Sequence, residues 1–329
     1  MNDALNDEFD ETRLRLLRRP KSTIIPIEGK HPNISFEFFP PKDHSGLDRL
    51  IRTVDSLASL QPRFVSVTYG AGGSDQENSL NAVKAILSRN IPVAAHVTCV
   101  GASKNKVDKA VMQFLEAGVR HIVALRGDPP AGHTRFEPHE DGYANAADLV
   151  RGIRKLTDYR SDLSISVAAY PEKHPDSSTI QDDIENLERK FDAGADQAIS
   201  QCFFEADSFL RFRDRLADAG VHAKIIPGIL PVTNFSKIVS FCEKCETSVP
   251  EWMSELFADL DKSPEISEII SATVAAELCA SLIDNGVNSF HFYTLNRARL
   301  TRAVCHILGL RSTNPGLSKP DAMQSVGGV

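Results

Sequence analysis

His121-Ile-Val-Ala-Leu-Arg-Gly-Asp-Pro-Pro130 is an apolar, β-branched run that stops in a charged pair and two prolines. Residues 121–125 favour a strand and are too few for an independent helix, and Gly127 with the prolines lets neither element continue. Arg126 and Asp128 are thereby predicted at the C-terminal end of a buried strand. In barrels and open sheets of parallel strands, ligands bind and reactive side chains collect at that end. Taken alone, Gly-Asp-Pro also reads as a turn carrying a solvated ion pair.

Outward from this stretch the same rhythm repeats. Strand-like runs lie at 34–39, 64–69, 93–99, 121–125, 164–170, 197–203, 224–229 and 289–295, with helical patterns between them. Helices predicted over 74–87, 103–117 and 177–193 each open with a serine suited to an N-cap. Gly118, Gly194, Gly220 and Gly286 fall where helices should stop and lead into the next strand. Eightfold alternation from residue 33 to 310 predicts an α/β protein, a (β/α)8 TIM barrel, a fold that ordinarily takes about 250 residues. A doubly wound open sheet is the alternative, and the lack of GxGxxG after the first strand counts against it. Helical patterns at 235–248, 252–260 and 265–285 predict an extra helical segment before the last strand. Residues 1–32, acids followed by RLRLLRR at 13–19, read as an N-terminal helical extension, and 311–329, rich in Ser, Pro and Gly, as a disordered tail.

The chain has 329 residues, 42% hydrophobic and 25% charged, which is ample for one large core. A net charge of −7 argues against a nucleic-acid footprint, and no apolar run suggests a membrane span. The six cysteines are scattered and follow no secretory signal, so a cytoplasmic protein with reduced thiols is expected. Cys242 and Cys245 form a CxxC without a second ligand pair, and no metal site is expected.

Side chains two apart on a strand share a face. This groups Glu37 with Ser35 and Phe39, His96 with Thr98, Ser166 with Tyr170, Gln197 with Gln201, and His291 with Tyr293. Polar groups from five strands thus converge inside a barrel, although each alone reads as a satisfied core residue. Glu37, flanked by Phe36, Phe38, Phe39, Pro40 and Pro41, is expected to be poorly solvated, to keep a proton near neutral pH and to act as a general acid. The other reading is a buried ion pair with Arg126 or another cation. Asp183, Asn186 and Lys190 lie on one predicted helical face with Arg189 beside it. With His174 and Arg126 they suit ribose hydroxyls and a diphosphate, or else form a solvated charged face.

Several long motifs then occur in one order: SFEFFPP at 35–41, VSVTYGA at 65–71, HVTC at 96–99, ALRGDPP at 124–130, AYPEKHP at 169–175, Gln201, IPGILPVTNF at 226–235 and FHFYTLNR at 290–297. Over residues 33–310 the chain resembles the methylenetetrahydrofolate reductases of bacterial type. The resemblance implies a barrel with non-covalent FAD. It implies reduction of 5,10-methylenetetrahydrofolate to 5-methyltetrahydrofolate with NADH or NADPH by ping-pong hydride transfer, supplying methyl groups for methionine synthesis. By motif, Glu37 resembles the acid that activates the methylene group and Asp128 the aspartate between flavin and pterin. Gln201 matches a glutamine shared by folate and nicotinamide, Thr68 a nicotinamide contact, Phe241 an aromatic that stacks on ligands, and Arg297 a folate contact. FAD contacts are implied for Tyr69, Ala71, His96, Arg126, Gly127, Asp128, Ala144, Tyr170, His174, Ser177, Asp183, Asn186, Arg189 and Lys190. Lys237 stands where related bacterial enzymes often carry a folate-contacting glutamine, and a lysine there suits the substrate's acidic glutamate tail. The resemblance leaves open homo-oligomer formation and the choice between NADH and NADPH. With so little chain after the barrel, no inhibition by S-adenosylmethionine is expected.

Overall fold

A computed structural model describes residues 31–41, 43–69, 76–129, 132–133 and 136–312. The predicted N-terminal extension and tail therefore lie almost wholly outside the described residues, as do Ala71 and the serine expected to cap the helix at 74–87. Eight parallel strands close into a barrel in chain order, β1 pairing with both β2 and β8. They are β1 (Asn33–Phe38), β2 (Phe64–Val67), β3 (Val93–Thr98), β4 (His121–Leu125), β5 (Ser164–Ala169), β6 (Gln197–Cys202), β7 (Ile225–Ile229) and β8 (Ser289–Tyr293). Between them run α1 (His44–Ala58), α2 (Gln76–Leu87), α3 (Lys104–Glu116), α4 (Ala146–Leu156), α5 (Ile180–Asp192) and α6 (Ala206–Asp218). The long connection before β8 holds α7 (Phe235–Cys245), α8 (Glu251–Leu256) and α9 (Pro264–Asp284), and α10 (Ala298–Ile307) follows β8.

The local signals act as expected at most joints. Ser103 caps α3, its hydroxyl accepting from Lys106 N, and the four helix-ending glycines take φ between +77° and +109°. Ser177 does not cap α5, contrary to expectation. Thr179 does, in a capping box with Asp182, because that pair satisfies two free N–H groups at once while the Ser177 hydroxyl is taken by Asp183. Most strands also end one or two residues earlier than predicted, and the residues left over, Phe39, Tyr69, Tyr170 and Leu295 among them, lie in loops at the barrel mouth.

Strand alternation sorts the barrel as read. Phe36, Phe38, Phe290 and Phe292 point outward and are buried beneath the helices. Arg154 on α4 is a buried brace, donating to Gly194 O, Leu163 O and the Asp196 carboxylate, whose Oδ2 also accepts from Ile165 N. One expectation needs correcting: α9 is long and apolar enough to match a membrane span by length and composition. It is packed against the barrel, with Ala272, Ala275, Ala276, Cys279 and Leu282 in the core, so its apolar character serves packing.

Candidate active site

Three inward residues from three strands meet near the mouth. Glu37 of β1 has one carboxylate oxygen 3.4 Å from His96 Nε2 of β3 and 3.6 Å from His291 Nε2 of β8. Both Nε2 atoms are buried and have no formed hydrogen bond. The Ser35 hydroxyl fixes the His291 ring through Nδ1 at 2.7 Å. Buried polar atoms are ordinarily satisfied, so two orphaned imidazole nitrogens facing one carboxylate make this cluster the candidate for proton chemistry. Glu37 is the most accessible of the three, at 14% side-chain exposure against 8% for His96 and none for His291.

The expectation that Glu37 retains its own proton near neutrality is overturned. Burial pushes its affinity up, but the contact with His291 and the charges of His96 and His291 outweigh this and leave it below the ordinary carboxylate range. His96 is lowered as well, by burial first, with Glu37 pulling it back up. Arg126 is not the partner of Glu37 either: its guanidinium pairs with Asp176 at 2.7 Å and lies over the Phe136 ring at 4.9 Å.

The loop after β8 completes the end of β1. Thr294 Oγ1 donates to Glu37 O at 2.6 Å. The Asn296 amide then holds the backbone of Phe39 at both its polar groups, accepting from Phe39 N and donating to Phe39 O, each at 2.9 Å. Leu295 and Asn296 take φ of +49° and +56°, a left-handed conformation that Asn tolerates better than most residues. Neither Thr294 nor Asn296 was singled out in the sequence. The one available signal is the asparagine after a strand end, and it does not say whose backbone the amide will hold.

A second constellation surrounds the ends of β4 and β5. Asp183 is buried, accepting from His174 N and the Ser177 hydroxyl, each at 2.7 Å. Buried Lys190 donates to Ala168 O and lies over the Tyr170 ring, and Tyr170 meets His174 edge-on. Burial lowers Lys190 to about 8, with Asp183 acting to hold its proton. Burial raises the Tyr170 phenol, and the Asp128 carboxylate adds to the effect. Asp128 itself is exposed on the rim, as are Ala144, whose N–H donates to Asp148, and Arg189. Asn186 is half-buried on α5.

The remaining expected residues occupy the same end. Thr68 and Tyr69 follow β2, and the Thr68 peptide is fixed by Phe38 O and the Ser79 hydroxyl. Gln201 sits at a register irregularity between Ile199 and Cys202, its side-chain oxygen turned back to Cys202 N. Tyr293, whose phenol donates to Ser200 O, spans from the Glu37 side to the Gln201 side. Lys237 on α7 and Arg297 before α10 are exposed, and Phe241 on α7 shows 42% of its surface to solvent.

The sequence model for methylenetetrahydrofolate reductase matches residues 24–309. The chain belongs to the methylenetetrahydrofolate reductase family. The 5,10-methylenetetrahydrofolate reductase of Salmonella typhimurium is 44% identical over 286 residues, 87% of this chain and 92% of that one. The Escherichia coli protein of the same name is 43% identical over the same shares. Arabidopsis thaliana methylenetetrahydrofolate reductase (NADH) 1 is 34% identical over 84% of this chain and 48% of its own length. Among solved structures, a Clostridium thermocellum protein described as binding two copies of 5-methyl-5,6,7,8-tetrahydrofolic acid superposes with a TM-score of 0.57 at 15% identity. It covers 85% of this chain and 94% of that one, a likeness of fold alone.

The FAD expected of a methylenetetrahydrofolate reductase can be tested against the donors present. Arg126, Lys190 and Arg189 gather cationic charge on one side of the mouth, which suits a diphosphate. Gly127 has φ +88°, and a Cβ there would lie 2.5 Å from Val100 Cγ1, so the backbone runs close beneath the rim where only glycine fits. This donor set fits the group. Among the described residues no cluster of three or more His, Cys, Asp or Glu suits a metal ion.

Proposed function

We propose that this chain reduces 5,10-methylenetetrahydrofolate to 5-methyltetrahydrofolate, using NADH or NADPH and FAD in two half-reactions that alternate in one pocket. The observation that carries the reading is Glu37 facing two unsatisfied imidazoles at the mouth of a barrel of this family. FAD, when bound, supplies the two-electron hydride carriage between the substrates. Opening the methylene bridge requires a proton on the departing nitrogen. The Glu37–His96–His291 cluster holds that proton, and Glu37, its most exposed member, delivers it. Asp128 on the rim places negative charge where the opened bridge becomes cationic. Arg126, His174 and Lys190 receive the diphosphate, Thr68 and Gln201 position the nicotinamide and then the pterin, and Phe241 offers a ring face for stacking. Lys237 and Arg297 meet the carboxylates of the glutamate tail. Such an enzyme works in the cytoplasm, where its six free thiols stay reduced and its product feeds methionine synthesis.

The test is direct. Protein saturated with FAD should lose its flavin absorbance anaerobically on adding NADH or NADPH and regain it on adding methylenetetrahydrofolate, with 5-methyltetrahydrofolate appearing in equal amount. Flavin binding without either half-reaction would make the chain a binding protein and end the proposal.

A further inference from the structure

A cavity of about 410 Å³ lies at the opposite end of the barrel from Glu37. Its wall is made by residues at or just before the starts of strands: Arg63 before β2, Arg120 before β4, Lys224 before β7, and Gln197 and His121 opening β6 and β4. None of its described lining residues is an acid. Arg120 is already engaged, by Asp162 at 3.2 Å and by the carbonyls of Leu115 and Val119. Arg63 and Lys224 have no side-chain hydrogen bond or ion pair among the described residues. They are close enough that Arg63, after burial, lowers the proton affinity of Lys224. Two like charges facing one cavity without a counter-charge repel each other until an anion separates them.

The cavity's inner wall is polar. Gln197 Nε2 donates to Ser166 Oγ at 3.0 Å, and the same oxygen lies 2.7 Å from His121 Nε2. Burial lowers His121 to about 3, so the ring is neutral and adds no charge to the cavity. The cavity thus presents a guanidinium, an ammonium and a neutral imidazole, over an apolar floor that includes Phe64 and Ile226.

We infer that the N-terminal end of the barrel is a second binding site, for a small molecule bearing a phosphate or carboxylate group held between Arg63 and Lys224. The volume is in the range of small-molecule sites. Ser35 and Phe64 of its wall also touch His291, but Arg63 and Lys224, which would hold the anion, have no contact with the cluster at the other end.

Calorimetric titration of the full chain with inorganic phosphate, and separately with succinate, both at ionic strength matched with chloride, tests this and tells the two anionic groups apart. Saturable 1:1 binding of at least one of them is expected, weakened at least tenfold by Arg63→Ala combined with Lys224→Ala. Both side chains are exposed, so the variant keeps its folded contacts, and flavin reduction by NAD(P)H should match the wild type. No saturable binding of either anion would overturn the inference. Binding of equal strength in the double variant would overturn it too, since it would assign the anion to the cations of the mouth.

Discussion

If the proposed function holds, Glu37→Gln should separate the two half-reactions, because in it only the folate half requires a proton. Glutamine keeps the shape and the reach toward His96 and His291 but can neither carry the proton nor balance an imidazolium. At 3.4 and 3.6 Å, and with an effective dielectric of ~20, the carboxylate stabilises a proton on either ring by about 4–5 kcal/mol. General acid catalysis is worth ~10²–10⁴-fold, or about 3–5 kcal/mol of barrier, so both routes give the same scale. Stopped-flow absorbance of the flavin under anaerobic conditions reads each half-reaction alone. Reduction by NAD(P)H should stay within about threefold of wild type, while reoxidation by methylenetetrahydrofolate should slow by at least ~10²-fold. The wild-type folate half should also fall as pH rises, since burial has already lowered His96 and the cluster gives up its proton early. The variant should show no such fall. Wild-type reoxidation in the variant would remove Glu37 from the acid role, and equal failure of both halves would make its role structural.

Asn296→Ala removes both bonds to the Phe39 peptide and places alanine at φ +56°, which should cost ~2–4 kcal/mol in urea unfolding and slow the folate half-reaction more than the nicotinamide half. An unchanged folate half would show that Glu37 is oriented without this clamp. His121, lowered from 6.5 to about 3, binds its proton more readily in the unfolded chain, so stability should be lost as pH falls through this window, by at most about 5 kcal/mol. Urea midpoints at pH 7 and pH 4 should differ less in His121→Gln than in wild type, and equal differences would refute the assignment. Arg154→Leu strands the carbonyls of Gly194 and Leu163 and leaves half-exposed Asp196 with its bond from Ile165 N alone, for an expected loss of ~2–4 kcal/mol, to be measured by the same unfolding transitions.

The barrel was legible because its signals are local. A β-branched run, a glycine stop and a serine cap each specify a joint regardless of what lies elsewhere, and period two fixed the faces of Glu37, His96 and His291. What could not be read depends on neighbours distant in sequence. The aromatic and proline flanks of Glu37 correctly foretold burial, but the sign of its proton affinity depends on two imidazoles carried by β3 and β8. Asp183 and Lys190 shared a helical face as expected, yet the structure turns both inward, onto His174 N and Ala168 O, because the loop after β5 folds back over them. The choice of Thr179 over Ser177 as cap was decided by which hydroxyl Asp183 claims.

The seam where β8 meets β1 has a further consequence for biosynthesis. The bonds from Thr294 and Asn296 to Glu37 and Phe39 each join residues 257 positions apart. Ribosomes deliver Glu37 almost first and the residues that hold its backbone almost last, so no nascent chain carries the formed seam until the eighth strand has emerged. Contacts of such span form slowly, because the intervening chain must first be ordered. Translation to nearly the end of the barrel is therefore a condition for Glu37 to be held as the closed barrel holds it.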